Sequence, residues 1–235
     1  MPKKKKEISS SNLIKVKPIT EGQKTVFETW KQGKNQFLFG CAGTGKTFIS
    51  LYLAMQDVLD LKTKYDKVIL VRSLIPTREI GFLPGDEEDK AALYQVPYQN
   101  MVKFMFEQPN EQAFNMLYDR LKNQGSLYFL STSFLRGLTF DNSIIIVDEC
   151  QNLNFHELDT ITTRVGQDSK IVFCGDFSQT DLLKQNERNG LHDFLRILME
   201  MQEFNCVEFN IGDIVRSGFV RNYLIQKTKL GMGME

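Results

Sequence analysis

The residues best suited to do chemistry fall in three polar segments, each of which directly follows an apolar run. The first segment, at residues 40–47, fits the pattern G-x-x-x-x-G-K-[ST] at every position. Glycines at this spacing let backbone amides curl around anionic oxygens, and a helix that begins here adds its N-terminal dipole. In such a loop the lysine reaches the β- and γ-phosphates, and the hydroxyl residue binds Mg²⁺. The candidate nucleotide-binding residues are Gly40, Cys41, Ala42, Gly43, Thr44, Gly45, Lys46 and Thr47.

The second segment is a pair of acids, Asp148 and Glu149, at the end of the apolar run 144–147. Asp148 is expected to hold Mg²⁺ through water, and Glu149 to polarise the attacking water as a general base. Adjacent acids after an apolar run are common alone, but together with a phosphate-binding loop they predict nucleotide hydrolysis. They argue against a small-molecule kinase, which seldom needs the second acid.

The third segment is Phe-Cys-Gly-Asp-Phe-Ser-Gln at residues 173–179. In a sheet that carries a phosphate-binding loop, the strand between the loop strand and the acidic strand can present a polar group to the γ-phosphate. Gln179 or Asp176 is the candidate sensor, with Gln179 preferred, and an ordinary polar turn is the alternative.

These segments need strands and helices to position them, and the rest of the sequence supplies both. Continuous Ile and Val runs are typical of strands covered on both faces, and their alternation with helices predicts a doubly wound α/β fold with a mainly parallel sheet. The segment from about 77 to 125 is long for a simple crossover, and we expect a helical insertion at the carboxyl edge, where ligands bind. The predicted strands are 36–39, 67–71, 127–130, 143–147, 170–174 and 206–209. The predicted helices are 46–61, 90–107, 111–122, 155–165, 187–203 and 213–228.

Composition narrows the class of protein. The 235 residues carry 29 basic and 29 acidic side chains, which excludes a globally basic nucleic-acid coat and an acidic disordered chain. Apolar runs are too short for a membrane helix, and the basic N-terminus has no apolar segment behind it, so we expect a cytoplasmic protein without a membrane partner. The four cysteines are expected to be reduced thiols, and two histidines are too few for a metal cluster. We expect a flexible basic tail at residues 1–12 and one domain at residues 13–235.

The motifs resemble those of the first core domain of superfamily 1 helicases and, more closely, those of the PhoH-like family of phosphate-starvation-inducible ATPases. The block most specific to that family is Gly-Phe-Leu-Pro-Gly-Asp at residues 81–86, which general helicases lack. The order and spacing of the motifs match from about residue 18 to residue 225. The resemblance implies a three-layer, RecA-like P-loop NTPase that uses ATP and Mg²⁺. The segments that carry it are 71–73, 81–86, 134–139, 147–152 and 175–182.

Further site residues are implied by this resemblance alone. Gln23 matches the glutamine that reads the adenine edge in the family. Arg216, in Asp-Ile-Val-Arg at residues 213–216, matches an arginine that acts as a finger in a neighbouring subunit or as a sensor in its own site. The family usually has a histidine after that arginine, where this chain has Ser217. Arg72 and Arg136 are candidates for nucleic-acid or phosphate contacts, with surface ion pairs as the alternative.

The resulting hypothesis is an ATP hydrolase coupled to single-stranded RNA or DNA. Its expected catalytic residues are Lys46, Glu149, Gln179 and Arg216. Too few residues follow Asp181 for the second core of a complete helicase, so we expect a homo-oligomeric ring, such as a hexamer, in which neighbours share sites. The alternative is a regulatory module that binds nucleotide but hydrolyses it weakly or not at all, and the presence of Glu149 speaks against it.

Overall fold

A single six-stranded sheet organises the protein, in the order β3–β2–β4–β5–β1–β6. The computed structural model describes residues 6–72, 87–132, 135, 137–176 and 190–230, with backbone alone at 87–93. Every strand pairing is parallel, and all six predicted strands are confirmed within a residue or two at each end. The strands are β1 (Asn35–Gly40), β2 (Lys67–Arg72), β3 (Leu127–Ser131), β4 (Ser143–Val147), β5 (Lys170–Gly175) and β6 (Phe204–Phe209).

Helices connect these strands much as the sequence predicts. One helix, α1, was not predicted. It begins after Thr20, whose hydroxyl accepts a hydrogen bond from the backbone N–H of Gln23 at 3.3 Å, and it buries Val26 and Trp30 on one face. The last helix begins at Gly218 rather than at 213, because a 3-10 turn at Ile211–Asp213 comes first. The helices are α1 (Glu21–Trp30), α2 (Lys46–Leu59), α3 (Glu87–Phe106), α4 (Glu111–Asn123), α5 (Phe155–Thr162), α6 (Gly190–Glu200) and α7 (Gly218–Lys229).

The interior of the sheet is covered on both faces, which explains why the central residues of β2, β4 and β5 are apolar. Ile144 and Ile146 of β4 belong to a core shared with α1–α4, whereas Ile145 and Val147 belong to a core shared with α5 and α6. Successive strand residues point to opposite faces, so a sheet between two helical layers needs apolar residues at every position. The predicted three-layer α/β P-loop fold is thereby confirmed.

Two expected segments differ from the structure or extend beyond its described part. Residues 6–12, expected to belong to a flexible tail, pack against the body: Ile8 is 6% exposed, and Lys6 Nζ donates to the Val58 carbonyl oxygen at 3.1 Å. A single apolar residue in a polar stretch gave too weak a sequence signal for this packing.

The predicted insertion at 77–125 contains α3 and α4, while residues 77–86 lie outside the described ranges. Among the helices described, none is both long enough and apolar enough to span a membrane.

Candidate functional site

The carboxyl ends of β1, β4 and β5 meet at one edge of the sheet and border an open cavity of about 1100 Å³. In open α/β sheets, ligands bind at this edge. The cavity is lined by most of the residues proposed from the sequence, together with residues of α3 and α7. The predicted site residues among its lining are Gln23, Ala42, Gly43, Thr44, Gly45, Lys46, Thr47, Asp148, Glu149 and Arg216.

The loop between β1 and α2 depends on glycine at its start. Gly40 has φ of 117°, and a Cβ at this position would lie 2.1 Å from the backbone oxygen of Phe209 in β6. Any residue other than glycine at position 40 would therefore clash with β6 and would also be strained by the positive φ. Gly45 lies in the left-handed region directly before α2, which begins at Lys46. The backbone amides at this helix N-terminus are placed to bind an anion.

The Lys46 side chain is folded back into this loop and is only 5% exposed. Its Nζ donates to the Cys41 carbonyl oxygen at 2.8 Å and forms an ion pair with Asp176 Oδ1 at 2.7 Å. A weaker bond at 3.3 Å reaches the Gly40 carbonyl oxygen. All of these partners are oxygen atoms, so phosphate oxygens entering the loop offer the ammonium group the same kind of ligand.

The side chains of Thr47 and Asp148 form a hydrogen-bonded pair of oxygen groups at the start of α2. The Thr47 hydroxyl donates to Asp148 Oδ1 at 2.6 Å, and Asp148 is 6% exposed. One hydroxyl and one carboxylate suit Mg²⁺, which usually takes few protein ligands and completes its shell with phosphate oxygens and water. No group of three or more His, Cys, Asp or Glu side chains that could hold a metal ion occurs in the described part of the chain.

Glu149 occupies an unusual backbone conformation, with φ of 52° and ψ of 43°. This left-handed region costs a non-glycine residue about 1–2 kcal/mol, and such residues concentrate at functional sites. Burial, followed by the charges of Asp148 and Asp176, raises the pKa of Glu149. Gln151, which sequence reasoning missed, donates to Glu149 Oε2 at 2.6 Å and accepts the backbone N–H of Asp176 at 3.1 Å. This amide joins the second and third polar segments.

The candidate sensor strand has the predicted place in the sheet, since β5 lies between β1 and β4. Asp176, the first residue after it, reaches Lys46 directly. Gln179 lies outside the described residues, as do Arg136 and the block at 81–86.

Gln23 and Arg216 both line the cavity from opposite ends of the chain. The Gln23 amide is buried, donating to the Thr44 carbonyl oxygen at 3.0 Å and accepting the Ile19 N–H at 2.9 Å. The backbone N–H of Val215 donates to the Gly43 carbonyl oxygen at 3.1 Å. Arg216 Cγ lies 3.0 Å from where a Cβ on Gly43 would be. Arg216 is therefore beside the loop of its own chain, and the functional roles of both residues stay predictions.

Tyr98 of α3 is a second residue that sequence reasoning missed. It is 2% exposed, and its hydroxyl donates to Asp148 Oδ2 at 2.7 Å. Burial and the charge of Asp148 raise the pKa of Tyr98, so the phenol keeps its proton. Tyr98 and Asp148 are 50 positions apart in the sequence, so no motif links them. They meet only because the fold brings α3 next to the end of β4.

Comparison with known proteins identifies the relatives of this chain. The profile of the PhoH-like protein family matches residues 15–226. Protein PhoH2 of Bacillus subtilis is 36% identical over 145 residues, which are 61% of this chain and 32% of that protein. The PhoH-like protein of Synechocystis is 33% identical over 186 residues, covering 79% of this chain and 54% of the relative. Protein PhoH of Escherichia coli is 32% identical over 190 residues, covering 80% and 51%. This chain thus spans between about a third and just over half of the length of these three relatives.

Solved structures agree on the fold. Two structures of the large terminase from a thermophilic bacteriophage match with a TM-score of 0.52, at 12% and 14% identity. They cover 90% and 89% of this chain, and the match extends over 50% of the terminase chain in each case. At this identity the likeness shows a shared fold. With the family profile matched over most of its length, the chain belongs to the PhoH-like protein family.

Proposed function

We propose that the protein is a Mg²⁺-dependent ATPase whose P-loop domain occupies residues 13–235. The observation that carries the proposal is the 2.6 Å contact between the Thr47 hydroxyl and Asp148 Oδ1, directly below the glycine loop and beside Glu149. Gly43, Lys46, Thr47, Asp148 and Glu149 line the same cavity, which supports their proposed roles as phosphate-binding loop, metal ligands and base. One of the two structures of the bacteriophage terminase, which shares the fold, is a complex with ADP.

Each predicted site residue named below has a proposed part in hydrolysis. The loop amides and Lys46 bind the phosphates, with Lys46 exchanging its present oxygen partners for phosphate oxygens. Thr47 and Asp148 would hold Mg²⁺, which when bound supplies positive charge to the phosphate oxygens. Glu149 takes a proton from the attacking water, and its raised pKa brings it closer to the pH at which a base works best. Gln179 is the proposed γ-phosphate sensor, and Gln23 the proposed contact for the base.

Two finer features of the hypothesis remain proposals. Binding of single-stranded RNA or DNA rests on the helicase-like motifs and on Arg72 at the cavity wall. A homo-oligomeric ring rests on the need for an arginine at the γ-phosphate. The position of Arg216 beside Gly43 of its own loop supports a role in its own site. Light scattering with a non-hydrolysable ATP analogue tests the ring, and a monomer would contradict it.

Phosphate release by Glu149→Gln tests the hydrolytic function. Loss of the base is expected to lower the rate by about 10²- to 10⁴-fold while ATP binding is retained. The matched control is Glu28→Gln, which changes an exposed glutamate on α1. Hydrolysis by Glu149→Gln at the wild-type rate would overturn the assignment. A wild-type protein that binds ATP without releasing phosphate, with or without RNA or DNA, would instead identify the regulatory module.

A further inference from the structure

A buried hydroxyl connects the segment between β2 and β3 to the acidic end of β4. Tyr98 of α3 donates to Asp148 Oδ2 at 2.7 Å, while Thr47 donates to Asp148 Oδ1 at 2.6 Å. We propose that Tyr98 is a positioning residue of the ATPase site, which fixes the Asp148 carboxylate so that its Oδ1 stays directed at Thr47. The inference rests on the proposed function, and it adds a residue of α3 to the phosphate and metal machinery.

The direction of these hydrogen bonds follows from the chemistry of the groups. An ionised carboxylate only accepts, so the phenol and the threonine hydroxyl are both donors. The torsion that turns a carboxylate about its last bond is broad and weakly restrained. Two donors, one on each oxygen, remove that freedom. The backbone of Asp148 is fixed as well, since its N–H donates to the Val71 carbonyl oxygen at 3.0 Å.

The Tyr98 ring has an aromatic and a charged neighbour. Its centroid lies 5.7 Å from that of Phe129 in β3. Arg72, at the end of β2, lies close enough for its positive charge to oppose the rise in the pKa of Tyr98 that burial and Asp148 cause. Arg72 is itself positioned over the ring of Tyr94, 5.8 Å from the centroid.

Packing alone does not account for a tyrosine at this place. A phenylalanine would fill the same space beside Phe129 without bringing a polar group into the interior. Burying a hydroxyl is costly unless it is bonded, and this hydroxyl donates its proton to Asp148. The neighbouring α3 residues Pro97 and Met101 line the cavity, so the helix that carries Tyr98 is also part of its wall.

Tyr98→Phe tests the proposal, because it keeps the ring and removes the donor. Groups that orient metal ligands typically account for about 10- to 100-fold in metal affinity. We therefore expect the half-saturating Mg²⁺ concentration for phosphate release to rise by that factor. Binding of a fluorescent ADP analogue should weaken in Mg²⁺ and stay unchanged in EDTA. The matched control is Tyr118→Phe on α4, where a mostly buried tyrosine packs on Phe114.

The outcomes separate the two proposals. If the wild-type protein binds no nucleotide, the ATPase assignment fails. If it binds and hydrolyses ATP but Tyr98→Phe has the same Mg²⁺ dependence as wild type and Tyr118→Phe, the positioning role fails. A half-saturating concentration does not depend on how much protein is folded, so a destabilised variant still gives a decisive result. Tyr98→Met, which fills space flexibly and has no donor, repeats the test with a different side chain.

Discussion

Two buried lysines lie at opposite ends of the same sheet and differ in what surrounds them. Lys46, at the carboxyl edge, is 5% exposed and bonds to backbone oxygens and to Asp176 in an open cavity. Lys170, at the amino end of β5, is 2% exposed. Its Nζ donates to the Trp30 carbonyl oxygen at 3.2 Å and lies 4.1 Å from the centroid of the Trp30 ring.

The difference supports two roles for one residue type, which we propose to be phosphate binding at one edge and packing at the other. The charge of Lys46 is balanced by Asp176, an acid that we propose a phosphate group replaces. The partners of Lys170 are an aromatic face and a carbonyl, and Trp30 is itself held by its Nε1–H bond to Asp57 Oδ2 at 2.8 Å. Burial lowers the pKa of Lys170 to about 8, partly offset by the charge of Asp57. We expect Lys46 to govern activity and Lys170 to govern stability.

The strongest test of this contrast replaces each lysine by methionine. Lys46→Met is expected to lower phosphate release by about 10²- to 10³-fold, since it removes a charge aimed at the phosphates. Lys170→Met should leave the rate within about twofold of wild type, because it lies at the far end of the sheet. A steady-state phosphate assay on both proteins decides, and equal losses in the two variants would remove the contrast.

The free energy of unfolding should also depend on pH through Lys170, with a smaller expected effect than the loss of activity in Lys46→Met. Lys170 has a pKa of about 8 when folded and 10.5 when unfolded. Below pH 8 Lys170 is protonated in both the folded and the unfolded state, so the folded state bears the full cost of burying the charge. Between pH 8 and 10.5 the unfolded state holds more protons, so the free energy of unfolding rises with pH.

The expected size of this rise is about 1–3 kcal/mol, because the Trp30 ring favours the cation and opposes part of the shift. Urea unfolding of wild type and Lys170→Met across this pH range measures it as the difference between the two proteins. A difference that does not change with pH would show that Lys170 is not the group responsible.

The smallest expected effect concerns the acid beside Lys46. Asp176→Asn removes the ion pair that we propose competes with phosphate for Lys46, so nucleotide affinity in EDTA should rise. Because Asp176 is partly exposed and its ion pair is therefore weak, the rise should be no more than about fivefold. Asp168→Asn is the control, because it removes an acid paired with Lys64 at 3.2 Å, at the amino end of the sheet. Weaker nucleotide binding by Asp176→Asn would mean that Asp176 positions Lys46 rather than competing for it.

The sequence predicts those parts of the site whose residues are neighbours along the chain. The eight loop residues could be predicted because they match a motif, and the acids after β4 because they directly follow an apolar run. Tyr98 and Gln151 were not predicted as site residues, since Tyr98 meets Asp148 across 50 positions and the motif at 147–152 does not show that the Gln151 amide reaches Asp176. Helix α1 escaped prediction because most of its residues are polar. All six strands were predicted, because most of them carry a clear apolar signal, but their order was not predicted beyond the place of β5 between β1 and β4.

The position of β1 in the sheet has a consequence for synthesis of the chain. Its neighbours are β5 and β6, which end at Gly175 and Phe209. Residues 35–47 leave the ribosome well before β5 and β6, so the strand before the loop has no partner until both of those strands have followed. Nucleotide is therefore expected to give little help to a nascent chain. We expect the loop to acquire its shape only when the sheet closes around it.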